Sequence, residues 1–314
     1  QYIDDEEDEG INEAAEHQHP RHDDLLARLL DTSYRLADQR MLGQLLPPAR
    51  WSESNQVDAN LVPLATFSQE NIRNDALEAI GWRVRKRGMS PDILVRVVGA
   101  GDPTAQFLAA EGLALAGREE GLTVLLTAVN FMEDWSLRQR AILALGELAN
   151  VQALDVLLEI AQDDMNSLRA TAAQALGHMA HTSKDDEIFK LLVQFANGYY
   201  DLSHNAMLGL RYFNTRAAWN VIREKTRTGG WRLRQQAAEL LRFDSDEGAR
   251  DVLARLVRED SDSDVADAAA KSLRILYGPD SLEPDYILIQ SEHTYLEEQE
   301  ETVQRLRERG DAKR

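Results

Sequence analysis

The sequence of 314 residues contains no cysteine, which excludes both a disulfide framework and a thiolate site. It also has no stretch that approaches eighteen consecutive apolar residues, which excludes a membrane-spanning helix. Because no secretory or transit signal is recognisable, we expect a cytoplasmic protein. The first residue is Gln1 and not methionine, so we expect the sequence to be a piece of a longer protein.

Basic residues are scarce at both ends of the chain. Residues 1–24 hold ten acids and one base, and residues 244–314 hold nineteen acids and ten bases. The chain between these ends is nearly neutral, although the net charge of the whole sequence is −19. Like charges repel and the acidic start has little to bury, so residues 1–22 are predicted to be an acidic disordered tail.

A repeat of about thirty residues runs through most of the remaining chain. An Ala-Leu-Gly triplet, or a variant of it, ends at seven anchor positions that are 29 to 36 residues apart. The anchors are Gly81, Gly117, Gly146, Gly177, Arg211, Arg242 and Arg274. A small residue stands five positions before each anchor and an aliphatic residue one position before it. Both therefore lie on one face of a helix that packs closely against its neighbours.

Another apolar-periodic run precedes each anchor helix, and a short polar connector separates the two. Each unit is therefore predicted to be a helical hairpin. One hairpin cannot cover its own apolar face, but stacked hairpins bury a continuous core. The sequence thus predicts an all-α fold, an α-solenoid of about seven helical hairpins over residues 58–278. In this fold Ala141 and Ala172 lie buried where hairpins touch.

The segments on either side of the array follow different patterns. Residues 23–57 are predicted to be an N-terminal capping helix and a linker, with one helix over 23–46 that ends at Pro47 and Pro48. Residues 279–314 are predicted to be a C-terminal extension with a charged helix.

Three stretches carry a resemblance to a known class of repeat. They are DWSLRQRAILALGEL (134–148), MNSLRATAAQALGHM (165–179) and GWRLRQQAAELLRF (230–243). These stretches resemble HEAT-like repeats, in particular the short bacterial variety that is also found in phycobilin lyases. The resemblance implies a right-handed superhelix whose second helices line a concave ridge, the usual binding surface of such arrays. It specifies a fold and says little about activity.

Arginine stands eight positions before the anchor in four of the units. These residues are Arg73, Arg138, Arg169 and Arg234. Such a row suits phosphate or carboxylate ligands. By analogy with the use of this position in the repeat class, we expect instead a structural ladder, in which the arginines pair with connector acids and tie one hairpin to the next. The expected acids are Asp134, Asp164 and Asp262.

Three histidines of the acidic tail, His17, His19 and His22, form an H-x-H-x-x-H pattern. Imidazole and carboxylate groups can bind a divalent ion, but a metal site also needs a rigid scaffold and oriented supporting partners. A disordered tail provides neither, so we predict no metal site and no cofactor.

Residues 199–234 combine six aromatic residues with seven bases and only two acids. Arginine and aromatic side chains dominate protein interfaces, and they also stack on unpaired bases. The alternative is structural: Trp219 fills the core, Trp231 covers a connector, and the tyrosines fill the space of an arginine that the fifth unit lacks. The predicted partner surface consists of Tyr199, Tyr200, His204, Arg211, Arg216 and Arg232. We expect it to bind a protein partner or an acidic segment of the parent chain.

Three functions compete: a protein-interaction scaffold, a nucleic-acid-associated module and an enzyme of the bilin-lyase type. We expect the helix positions six and seven before the anchors to form the outward ridge, and together they carry three acids and one base. A groove for nucleic acid needs many cations, so we expect no duplex nucleic acid partner and no membrane. The sequence shows no recognisable set of catalytic residues, and the hypothesis of a bilin-lyase-type enzyme depends on fold analogy alone. The sequence therefore favours a non-enzymatic scaffold that is part of a larger multidomain protein or complex.

Overall fold

The computed structural model describes residues 20–163, 165, 167–180 and 185–278. All regular elements within these ranges are helices, and no strand occurs among them. None of the described helices is both long enough and apolar enough to cross a bilayer. The chain divides into two compact units, Gln1–Asp185 and Asp186–Arg314.

The first unit contains ten described α-helices. They are α1 (Pro20–Arg35), α2 (Gln39–Ala49), α3 (Asn55–Leu61), α4 (Glu70–Arg87), α5 (Asp92–Ala100), α6 (Pro103–Leu115), α7 (Leu122–Phe131), α8 (Trp135–Leu148), α9 (Val151–Gln162) and α10 (Arg169–His178). Two short 3-10 helices, Val62–Thr66 and Glu119–Gly121, precede α4 and α7 in the chain. Helices α4, α6, α8 and α10 are the second helices of four hairpins, and each packs against the next.

The helices that follow belong to the second unit. They are α11 (Asp185–Phe195), α12 (Tyr200–Arg211), α13 (Arg216–Thr228), α14 (Trp231–Leu240), α15 (Glu247–Glu259) and α16 (Ser263–Tyr277). A 3-10 turn, Leu241–Phe243, follows α14. Here α12, α14 and α16 are the second helices of three hairpins, and each again packs against the next. Each unit is thus a stack of helical hairpins, with four described in the first and three in the second, which confirms the predicted all-α solenoid fold.

Small residues allow the second helices to approach one another closely. Ala141 and Ala172 are both 0% exposed, as predicted. One close approach lies at an anchor, because a Cβ atom built on Gly81 would be 2.9 Å from the Cα atom of Gly112. The repeated glycine is therefore a position where two helix backbones touch.

The acids of the connectors begin the second helices. The Asp102 side chain accepts a hydrogen bond of 3.0 Å from the amide of Ala105, and Asp134 accepts one of 2.7 Å from Ser136. An acid at this cap position satisfies an amide group that has no partner within the helix. The polar connectors are thus helix-capping segments.

The predicted single helix over 23–46 is wrong. The structure has two helices, and the turn between them places Ala37 at a φ of 51°. Asp38 begins α2 by accepting a hydrogen bond from the Met41 amide. Pro47 and Pro48 do not end the segment early, since both lie in the last turn of α2. Helix α1 also begins at Pro20, inside the predicted tail, and residues 1–19 and 279–314 lie outside the described residues.

A single buried arginine holds the linker between α2 and α3. The Arg83 side chain is 1% exposed and forms an ion pair with Asp58. Its guanidinium also donates to the carbonyl oxygens of Ala49 at 2.9 Å, Ser52, and Ser54 at 3.1 Å. One side chain thus satisfies several backbone groups of an irregular segment.

Candidate partner-binding surface

Large aromatic side chains begin two neighbouring second helices of the second unit. Helix α12 begins at Tyr200 and α14 at Trp231, and neither has a side-chain hydrogen bond at its cap. Tyr199, Tyr200 and Trp231 are 58%, 41% and 42% exposed. Aspartates stand at the cap positions of α6, α8 and α16. The starts of α12 and α14 therefore present aromatic surface, whereas acids cap α6, α8 and α16.

An arginine connects these aromatic residues. The guanidinium carbon of Arg232 lies 6.0 Å from the ring centroid of Tyr200 and 5.0 Å from that of Trp231. One turn further along α12, the His204 ring lies 5.8 Å from the Tyr200 ring. We call Tyr199, Tyr200, His204, Trp231 and Arg232 the aromatic–arginine cluster.

The two helices that carry the cluster are also joined beneath it. Gln236 of α14 is buried, and its side-chain amide donates a hydrogen bond of 3.1 Å to the carbonyl oxygen of His204 in α12. This bond links the backbone of one helix to the side chain of the other. The exposed rings and the arginine are thus presented by packed helices and not by a loop.

The structure does not bring all six predicted partner residues together. Tyr200 and Arg211 stand at opposite ends of α12, about 16 Å apart along the helix. The guanidinium of Arg211 lies 4.9 Å from the rings of Tyr212 and Phe243, and it donates a hydrogen bond of 3.0 Å to the Tyr212 hydroxyl. Arg211 is therefore engaged in local packing at the far end of the hairpin from the cluster.

Arg216 is exposed at the start of α13, which follows the same far end of α12. Its positive charge acts on Asp246, a carboxylate with a lowered pKa. The amide of Gly248 lowers that pKa most, and the charges of Arg223 and Arg216 lower it further. The environment of Arg216 is therefore mixed in charge, and the residue lies outside the cluster.

The tyrosines do not fill the space of the missing arginine in the fifth repeat. Ser203 stands at that position, eight residues before the anchor, and its hydroxyl donates a hydrogen bond of 2.7 Å to the carbonyl oxygen of Ala196. In the third repeat Arg138 makes the equivalent bond, 2.9 Å from its Nε to the carbonyl oxygen of Val129. Serine thus replaces the arginine contact while both tyrosines remain exposed.

Two ladder arginines do link neighbouring hairpins through acids. Arg73 forms an ion pair of 2.6 Å with Asp102, in the connector of the next hairpin. Arg234 donates two hydrogen bonds, of 2.9 and 2.8 Å, to the carboxylate of Asp260. These bonds lower the pKa of the Asp260 carboxyl below its ordinary value. Arg138 and Arg169 each donate from Nε, at 2.9 Å, to a carbonyl oxygen of the preceding first helix.

The acids predicted for the ladder have other positions. Asp134 and Asp262 cap their own helices through the amides of Ser136 and Asp264. Asp164 lies outside the described residues. The acids that the structure pairs with Arg73 and Arg234 are instead Asp102 and Asp260. Residue spacing indicates on which face of a helix an arginine lies, but it does not indicate which residue of the neighbouring connector meets that arginine. The two partner acids could therefore not be identified from the sequence.

Four of the seven residues six positions before the anchors do not face outward as predicted, whereas Asp75 at the first anchor is exposed. Glu111, Thr171, Gln236 and Ala268 are all buried. The reason is the close stacking of the second helices, which turns this position toward the next helix. Arg140, at the same position one repeat later, illustrates this by donating a hydrogen bond of 2.8 Å to the Glu111 carboxylate.

The two tryptophans of the aromatic window differ in environment. Trp219 is buried, and its indole nitrogen donates to the side chain of Asn214 at 3.0 Å, as the structural alternative predicted. Trp231 was interpreted as covering a connector, yet it joins the cluster. Its counterpart Trp135 begins α8 and is 50% exposed, with its indole nitrogen 3.4 Å from the Ser167 hydroxyl.

Among the described residues, no three or more histidines and acids are grouped so that they could hold a metal ion. The tail histidines His17 and His19 lie outside those residues, and His22 is exposed in α1.

A family model for HEAT repeats matches residues 90–177. No curated protein sequence matches the chain. Among solved structures, the complex of CpcE and CpcF of phycocyanin lyase from Nostoc sp. PCC7120 is 16% identical, with a TM-score of 0.48 over 74% of this chain and 92% of that one. Human deoxyhypusine hydroxylase in complex with glycerol is 15% identical, with a TM-score of 0.34 over 82% of this chain and 96% of that one. An engineered protein is 18% identical, with a TM-score of 0.40 over 80% and 77% of the two chains. The family model confirms the resemblance to HEAT repeats, and the residues that it matches are those of the second, third and fourth hairpins.

Proposed function

We propose that this chain is a non-enzymatic scaffold for protein–protein interaction, and that it belongs to a larger multidomain protein or complex. The observation that carries the proposal is the aromatic–arginine cluster, in which exposed rings contact an exposed arginine on two adjacent helices. Tyrosine, tryptophan and arginine are the residues that most often supply binding energy at protein interfaces.

The chemistry of the cluster favours an acidic segment, either of a partner protein or of the parent chain. Tyr199, Tyr200 and Trp231 offer apolar area that a partner can bury, and Arg232 offers hydrogen-bond donors for a carboxylate. The exposed Arg232 also supplies a positive charge that attracts an anionic segment. Salt screens such an attraction, so binding should weaken as ionic strength rises.

Tyr200→Ala and Arg232→Ala should each reduce the capture of native partners by about tenfold, the effect of losing one interface residue worth more than 1 kcal/mol. The measurement is quantitative affinity capture from an extract of the source cells, with each variant immobilised at equal density. Both side chains are exposed, so the melting temperature should change by no more than a few degrees.

Two matched controls distinguish binding at the cluster from non-specific binding to exposed aromatic or basic residues. Trp135→Ala removes an exposed tryptophan at the start of another second helix, and Arg216→Ala removes an exposed arginine outside the cluster. Both controls should retain the captured partners. A large drop in melting temperature with unchanged capture would assign the cluster to packing, and equal losses in the controls would contradict a localised surface.

The chain should bind duplex DNA only weakly and without sequence preference. Its net charge of −19 repels a polyanion, and the described ridge lacks the many cations that displace counterions. A fluorescence anisotropy titration at about 0.15 M salt, near physiological ionic strength, provides the measurement. Submicromolar affinity would instead favour the nucleic-acid-associated module.

A further inference from the structure

The first described helix, α1, presents an apolar stripe on its exposed side. The stripe consists of Leu25, Leu29, Thr32 and Leu36, which are spaced four, three and four residues apart and therefore share one face of the helix. Leu36 follows the last residue of α1, but its amide still donates a hydrogen bond of 3.0 Å to the Thr32 carbonyl oxygen. The three leucines are 52%, 37% and 74% exposed, so the stripe is accessible apolar surface.

This stripe is unusual for the terminal helix of a repeat array, which normally presents a polar side to water. Helix α1 packs against α2 and α3, and Ala27 and Leu30 on the face opposite the stripe are buried. Apolar residues thus occur on two faces of α1, and a helix with that pattern is expected to be covered on both. The leucine stripe therefore has room for a second helix.

A line of alternating charges runs beside the stripe. It consists of Asp24, Arg28, Asp31 and Arg35, and each of these residues directly precedes a residue of the stripe. The Arg35 Nε atom donates a hydrogen bond of 3.0 Å to the Asp31 carboxylate, as opposite charges four residues apart on a helix commonly do. The order along the helix is acid, base, acid, base, so every position changes sign when the helix is turned end for end.

Two copies of α1 in antiparallel orientation match this order of charges. With a two-fold axis between residues 29 and 30, Asp24 of one copy lies opposite Arg35 of the other, and Arg28 lies opposite Asp31. Each pair occurs twice, because a two-fold interface uses the same surface of both copies. The order of charges thus selects an antiparallel copy of the same helix.

The same orientation also interleaves the leucines. Leu25 of one copy lies at a level between Thr32 and Leu36 of the other, and the two Leu29 side chains lie near the axis. Removing these side chains from water favours the contact.

The acidic segment that precedes α1 matches this face less well. Residues 1–19 hold eight acids, no lysine or arginine, and no leucine. The line of charges beside the stripe is neutral as a whole, because it has two acids and two bases. It therefore gives an acidic segment no net attraction.

We propose that α1 is the interface of a homodimer, in which a second copy of this chain covers the leucine stripe in antiparallel orientation. A helix of sixteen residues is about 24 Å long, so this interface is smaller than the standard interface of about 1,600 Å². The dimer is therefore reversible, with an expected dissociation constant on the order of 10 µM. It uses no residue of the aromatic–arginine cluster, so it does not depend on the proposed scaffold function.

Sedimentation equilibrium of the full chain from about 1 to about 200 µM, at about 0.15 M salt, measures the association. We expect a transition from monomer to dimer over this range. Leu25→Ser removes one leucine from each copy and should weaken the dimer at least tenfold. Val151→Ser removes an exposed aliphatic residue at the start of α9, and this matched control should leave the dissociation constant unchanged.

Charge exchanges test the orientation of the two helices. The double variant Asp24→Arg with Arg28→Asp keeps opposite charges four residues apart within each helix, but it places like charges opposite each other across the dimer. It should weaken the dimer at least tenfold. Adding Asp31→Arg and Arg35→Asp restores every pair, so the fourfold variant should associate like the original chain. All of these variants have the same net charge.

Circular dichroism melting of each variant confirms that it folds. A chain that stays monomeric at the highest concentration would overturn the proposal and leave the stripe to another partner. An unchanged dissociation constant in Leu25→Ser would also overturn it, as would a fourfold variant that associates no better than the double variant.

Discussion

Replacing Arg83 by methionine is expected to lower the free energy of unfolding of the chain by about 3–5 kcal/mol. The side chain is almost completely buried, and its removal leaves the Asp58 carboxylate without its ion pair. The carbonyl oxygens of Ala49 and Ser54 lose their guanidinium donors at the same time. Methionine restores volume but no donor, so these groups remain unsatisfied.

Urea denaturation followed by circular dichroism measures the effect. The matched control is Arg85→Met, because Arg85 is an exposed residue on the same helix. We expect that control to change the stability by no more than about 0.5 kcal/mol. A loss below about 1 kcal/mol in Arg83→Met would contradict a structural role for the buried guanidinium, since a typical single hydrogen bond already contributes that much.

Two glycine-to-alanine substitutions should have opposite effects. Alanine is the better helix former by about 1 kcal/mol, which favours the substitution inside any helix. At Gly81, however, the new Cβ would lie 2.9 Å from the Cα of Gly112, and backbone cannot move aside as a flexible side chain does. We expect Gly81→Ala to destabilise the chain by about 1–3 kcal/mol through overpacking.

Gly43→Ala is the matched control within the same unit. Gly43 lies inside α2, and its nearest contact for a new Cβ is the Ile72 Cδ1 atom at 3.8 Å, an ordinary van der Waals distance. This variant should therefore be stabilised by about 0.5–1 kcal/mol. Thermal and urea unfolding of both variants provide the measurement. Stabilisation of Gly81→Ala would show that α4 and α6 do not touch there.

Local patterns in the amino-acid chain were enough to predict the repeated hairpin and its core. The spacing of Ala141 and Ala172 from their anchors placed both on buried helix faces, where the structure has them. Helical periodicity is a local property, so a single chain segment reveals which face is apolar. The same local logic identified Trp219 as a candidate core residue.

The packing of the helices, and not the sequence pattern, revealed which side chains meet across neighbouring helices. The sequence grouped Arg211 and Arg216 with Tyr200 because all lie within one short window, but the hairpin places the arginines at its other end. It also placed Glu111 on an outward ridge, whereas stacking turns that residue toward the next helix. Residue spacing along the chain indicates on which face of a helix a residue lies and how near it is to the end of that helix. The partner of each side chain depends on the rotation and distance of the next helix, which close packing of many residues sets together.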